Sequence, residues 1–123
     1  MLERRKYLRA KKQIPLKLAD TGFDVITETV DISSSGAYCR VTRNLPLMSK
    51  IEVMLLIPLD NQTKKIRCRG VVVRSEPTIL KDADKAHYNI AIFFTDITKK
   101  DQKIIEEHVA SGNMDAAEVH ISQ

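Results

Sequence analysis

From Ile14 onward, apolar and polar residues alternate in short runs, the signature of strands with one buried face. Ile14–Leu18 is the first run, and Pro15 marks it as an edge or a strand start. In the second, Val25, Thr27, Thr29 and Asp31 share one side, while Ile26, Glu28, Val30 and Ile32 share the other. Ser33-Ser34-Ser35-Gly36 breaks the pattern, and Ala37–Val41 resumes it until Asn44 and Pro46 close the run. Ile51–Ile57 is denser in apolar residues and reads as a buried strand. Asp60-Asn61-Gln62 supplies turn chemistry before Ile66–Arg74, and Tyr88–Phe94 is the last candidate. Six closely spaced strands with no helix between them cannot make parallel crossovers. The expected fold is therefore mainly β, a six-stranded antiparallel barrel or sandwich.

One helix is marked near the end. Thr98 can cap it, Asp101 sits near its positive pole, and Ile104, Ile105, His108 and Val109 fall on one face. Gly112 fits the position just past its end, and the apolar face would lid one barrel opening or serve a homodimer. The expected organisation is a mobile basic arm at 1–13, a barrel with its helix at 14–112, and a tail at 113–123.

Charge changes this picture at one place. The 123 residues carry 20 Lys and Arg against 16 Asp and Glu. Residues 1–17 hold seven of those bases (Arg4, Arg5, Lys6, Arg9, Lys11, Lys12 and Lys17) and one acid, Glu3. The remainder is slightly acidic, so the protein reads as a near-neutral body with a basic arm. The longest apolar run, Val53–Pro58, is too short to cross a bilayer, and no secretory signal is recognisable. Cys39 and Cys68 have no partners at metal-ligand spacing. A reduced, cytoplasmic protein with two structural thiols is expected.

Catalysis finds no support. His87, His108 and His120 lack metal-ligand spacing, and Ser33–Ser35 lack the glycines of a nucleophile elbow. Glu106-Glu107 reads as a solvated helix face. Neither a catalytic residue, a metal site nor a cofactor is expected.

Two constellations remain. In Arg4-Arg5-Lys6-Tyr7-Leu8-Arg9, each guanidinium fork can make two parallel hydrogen bonds to a phosphate or to the O6/N7 edge of guanine. Taken alone, the segment reads first as an ordinary solvated tail. In Asp31-Ile32-Ser33-Ser34-Ser35-Gly36, a carboxylate and a hydroxyl two residues apart would face one way along a strand and suit the N1–H and N2–H₂ donors of guanine. Gly36 would allow a positive φ or the close approach of a ligand. Taken alone, this is an ordinary Asx or Ser turn.

Together they resemble the PilZ domain family, whose signature is an Arg-x-x-x-Arg arm followed by Asp/Asn-x-Ser-x-x-Gly. Arg5-Lys6-Tyr7-Leu8-Arg9 and Asp31-Ile32-Ser33-Ser34-Ser35-Gly36 match both halves. Gly70-Val71-Val72-Val73-Arg74 and Tyr88–Phe94 are similar to the family's later strands, with Ala91 where members often carry Gly. The resemblance spans about residues 3–110. It implies a PilZ-like barrel standing alone that binds the bacterial second messenger cyclic di-GMP. Arg5 and Arg9 would clamp phosphates and guanine Hoogsteen edges, Asp31 and Ser33 would hold a guanine from its other edge, and Gly36 would keep the turn open. Arg4, just before the motif, stands where the family's Arg accompanies an intercalated dimer, which implies two ligand molecules per chain. Lys11, Lys12 and Lys17 would supply a supporting field. Ordering of the arm would then alter the surface offered to a downstream protein.

Two other classes compete with this one. A PilZ-fold adaptor serving pilus assembly or motility without the ligand would not need both motifs complete. A barrel for single-stranded DNA or RNA needs aromatic platforms, and the chain has three Tyr, three Phe and no Trp.

Overall fold

A computed structural model describes residues 13–20, 22–59, 61–79 and 85–121, the stretch 111–121 as helix backbone. The strands are β1 (Pro15–Asp20), β2 (Phe23–Ser33), β3 (Gly36–Val41), β4 (Lys50–Leu59), β5 (Gln62–Thr78) and β6 (His87–Asp96). They are followed by one helix, α1 (Lys99–Ile121). The strands form a closed barrel in the order β1-β2-β3-β6-β5-β4, every neighbouring pair antiparallel. Closure by β1 on β4 leaves no edge, so Pro15 is tolerated because it opens β1.

The alternation seen in the sequence sorts side chains to two faces. On β4, Ile51, Val53, Leu55 and Ile57 are buried while Glu52 is exposed. Leu16, Leu18, Ile66, Val72, Ile90 and Ile92 join them from the other strands. Cys39 and Cys68 also face inward as free thiols. Burial pushes both up to about 12, reinforced at Cys68 by the nearby charges of Asp101, Asp96 and Glu52. Both therefore stay protonated and inert at neutral pH.

Thr98 caps α1 as expected. Its Oγ1 accepts from the Asp101 N–H (3.1 Å) and its carbonyl from the Gln102 N–H (2.9 Å). Ile105 and Val109 are fully buried in the core, and Ile104 packs partly against it, which closes one end of the barrel. The helix does not stop before Gly112; it continues to Ile121. One glycine costs a helix about 1 kcal/mol, and Met114, Ala116, Ala117 and Glu118 beyond it are good helix formers.

Between β3 and β4, Leu45 enters the core and residues 46–49 form a tight turn, with the Ser49 N–H donating to the Pro46 carbonyl (3.2 Å). Met48 stands in it at φ 67°, held there by its N–H to the Val72 carbonyl (2.6 Å), with its side chain exposed. A left-handed backbone costs a side-chain-bearing residue about 1–2 kcal/mol, and Asn accepts it more readily. Met48→Asn should therefore raise stability by about 0.5–1 kcal/mol, read as a higher thermal midpoint. An unchanged midpoint would mean that Met48 packing offsets the strain.

Candidate functional site

Strict alternation along β2 would send Asp31 and Ser33 inward, because Thr29 is buried. The structure avoids this with a β-bulge. The register slips between Thr29, opposite Cys39, and Asp31, opposite Tyr38, which leaves Val30 as an extra, exposed residue. Beyond it Ile32 takes the inner face, fully buried, and Asp31 moves to the outer one.

The same device acts on β5. Val72 is buried opposite Ile92, so alternation would place Arg74 in the core. A second slip, between Val72 and Arg74, makes Val73 the extra residue and turns Arg74 outward opposite Ala91.

The two bulges align a row across four strands. Asp31 lies opposite Tyr38, Tyr38 opposite Ala91, and Ala91 opposite Arg74. At about 4.8 Å per strand the row is about 14 Å long. The small Ala91 lets Arg74 lean over β6, where its Nη1 donates to the Tyr38 hydroxyl at 3.0 Å. That hydrogen bond and the charge of Glu76 raise the guanidinium's pKa further, so Arg74 is a permanent cation. The next row runs through Ser33, Gly36, Phe93 and Val71. Between them opens a cavity of about 690 Å³ lined by Asp31, Gly36, Tyr38, Arg74, Ala91 and Phe93, among others.

Ser33 and Gly36 each also have a part in the local structure. Ser33 Oγ is 3.0 Å from Ser35 Oγ and accepts from the Ser35 N–H at 3.2 Å, and the residue is fully buried. Its hydroxyl therefore ties the turn together. Gly36 has no positive φ. A Cβ there would collide with the Ile92 carbonyl of β6, so glycine is required because two strand backbones approach closely. Ser34 links the turn to α1. Its hydroxyl donates to Glu106 Oε2 (3.2 Å), and its carbonyl accepts from Gln102 Nε2 (3.5 Å). Glu106 is thus more than a solvated acid.

Arg4, Arg5 and Arg9 lie outside the described residues, as do Lys11 and Lys12. The point where their segment joins the barrel is fixed. The Ile14 N–H donates to Thr29 Oγ1 and the Ile14 carbonyl accepts from the Thr29 N–H, both at 3.0 Å. The chain therefore enters two residues from Asp31. Arg9 is five residues before Ile14, within at most about 17 Å of chain. Lys17, grouped with the arm by charge, belongs to β1 and pairs with Asp24 at 3.7 Å.

Sequence reasoning missed Tyr38, Arg74 and Phe93 as parts of this surface. The available signal was a charged residue at a nominally inward position, which applies to Asp31 and Arg74 alike and marks a bulge.

Three solved structures share this fold. MotI (DgrA), the inhibitor of motility from Bacillus subtilis, superposes with a TM-score of 0.77 at 16% identity over 91% of this chain and 52% of its own. The PilZ domain of YcgR from Escherichia coli with c-di-GMP gives 0.71 at 10% identity over 98% and 99%. MrkH of K. pneumonia in complex with c-di-GMP gives 0.70 at 17% identity over 94% and 55%. The chain thus spans about half the length of MotI and MrkH. No curated protein sequence matches it. The family model described as PilZ domain matches residues 3–111, from the basic segment into α1. The chain belongs to the PilZ domain family.

Proposed function

We propose that this protein is a cytoplasmic receptor for cyclic di-GMP and not a catalyst. The observation that carries the reading is the outer face of β2, β3, β6 and β5, where Asp31, Tyr38 and Arg74 form one row beside the entry of the arginine-bearing segment. Family membership supports it, as do the c-di-GMP complexes of YcgR and MrkH.

In this reading Asp31 accepts from the N1–H and N2–H₂ of a guanine. Arg5 and Arg9 supply planar forks for phosphates and for O6/N7. Arg74, already oriented by Tyr38, adds a cation at the far end of the row. Ser33 and Gly36 act mainly by holding the turn and the strand spacing that present Asp31. Closing the arm over the ligand creates a new surface for a downstream protein. Because Ser34 is hydrogen-bonded to α1, a displacement of the turn also reaches the helix.

Isothermal titration with cyclic di-GMP tests the reading. Micromolar binding, about −8 kcal/mol, is expected. No heat at tens of micromolar ligand, from a sample with a cooperative melt, rejects it. Arg4 carries a separate expectation. With two ligand molecules bound as an intercalated pair, Arg4→Ala should lower the stoichiometry from two to one, and an unchanged ratio rejects the pair.

A further inference from the structure

The candidate surface contains an aromatic ring that neither signature motif includes. Of the three phenylalanines, Phe94 is buried in the core and Phe23 lies under the Arg43 guanidinium, 4.8 Å from its ring centroid. Phe93 instead faces outward on β6 and is 51% exposed. Its neighbours across the strands are Gly36 and Val71, and Val73, pushed out by the β5 bulge, is 49% exposed. The result is an apolar patch within a cavity that the polar groups of Asp31, Tyr38 and Arg74 also line. Gly36 adds no side chain on the β3 side of the ring.

We infer that Phe93 is a stacking platform for one guanine face of the bound nucleotide, and thereby an affinity-determining residue of the site. The inference rests on the cyclic di-GMP reading above. A planar purine offers a π-face to the ring while its edge remains free for Asp31 and the arginines. Stacking recognises the face, and hydrogen bonds recognise the edge. An aliphatic partner would gain only burial from such a patch, with no use for the carboxylate and guanidinium beside it. A guanine uses both.

The chain has no Trp, so Phe93→Trp installs a single indole at the site. Cyclic di-GMP should quench its fluorescence in step with binding. Ile79→Trp, on an exposed residue beyond the far end of β5, should remain unquenched. Phe93→Ala should weaken binding measured by titration calorimetry by about 5- to 150-fold, since stacking on an aromatic contributes about 1–3 kcal/mol per base. Phe93→Trp should retain wild-type affinity.

Opposite a glycine, an aromatic can also serve simply to cover backbone. A Phe93→Ala protein that melts earlier but binds as tightly as wild type assigns that role and overturns the stacking one. Indole emission that saturating ligand leaves unchanged overturns it too. If the wild-type protein gives no heat, the receptor reading falls and the platform falls with it. Heat from wild type and equal heat from Phe93→Ala removes the platform alone.

Discussion

Arg9→Ala, and equally Arg5→Ala, is expected to bring cyclic di-GMP binding below detection at tens of micromolar while the empty protein melts at the wild-type temperature. The two halves of this result have different causes. Both precede Ile14 in the sequence, ahead of the described barrel, so the melt of the empty protein is expected not to depend on them. Each bidentate contact to a guanine edge contributes about 1–3 kcal/mol, which is about a 5- to 150-fold change in affinity. On the proposed reading the loss is larger than one contact, because the remaining arginines must then offset the ordering of the segment, about 2–5 kcal/mol for coupled folding. Arg9→Lys separates shape from charge. Lysine keeps the positive charge and lacks the fork, so affinity should fall to an intermediate value. Wild-type affinity in Arg9→Lys would reduce the segment to a screening field, and wild-type affinity in Arg9→Ala would remove it from the site.

Much of this architecture follows directly from residue pattern. Ile51, Val53, Leu55 and Ile57 alternate, and each is buried. Thr98 and Asp101 announce the start of α1, and the cap forms with them. The strand register was legible only in part, because a bulge inserts one residue and reverses every side chain beyond it. Read with strict alternation, Asp31 shares a face with Thr29 and Arg74 with Val72, and the candidate surface does not exist. Val30 and Val73, the inserted residues, resemble any other strand valine in sequence. Met48 is equally silent, since the left-handed position carries neither Gly nor Asn. The motif Asp31–Gly36 was recognisable by resemblance, yet the reason for its glycine was not. Only the approach of β6 to β3 supplies that reason.

Gly36→Ala should be the most damaging single-methyl change in the described barrel. Its Cβ would meet the Ile92 carbonyl carbon at 3.3 Å and Phe93 Cα at 3.4 Å, with the Ile92 oxygen nearer still. All three are backbone atoms, so no rotamer change relieves the collision. The start of β3 must instead move off β6, which strains the neighbouring Phe94 N–H to Ser35 carbonyl bond of 2.9 Å. Overpacking of this kind costs about 1–3 kcal/mol, and each kcal/mol lowers the midpoint of a domain this size by about 3–5 °C. Ligand affinity should fall with it, because Gly36 sets the register that brings Asp31, Tyr38 and Phe93 to one surface. Gly22 is the control. Nothing lies within 4 Å of a Cβ built there, and its φ is not positive, so Gly22→Ala should be neutral or stabilising by up to about 1 kcal/mol. Thermal melts of the two variants decide between a steric and a generic role. Equal midpoints would show that β3 and β6 can part without cost, and the close approach of their backbones would no longer account for the glycine of the signature.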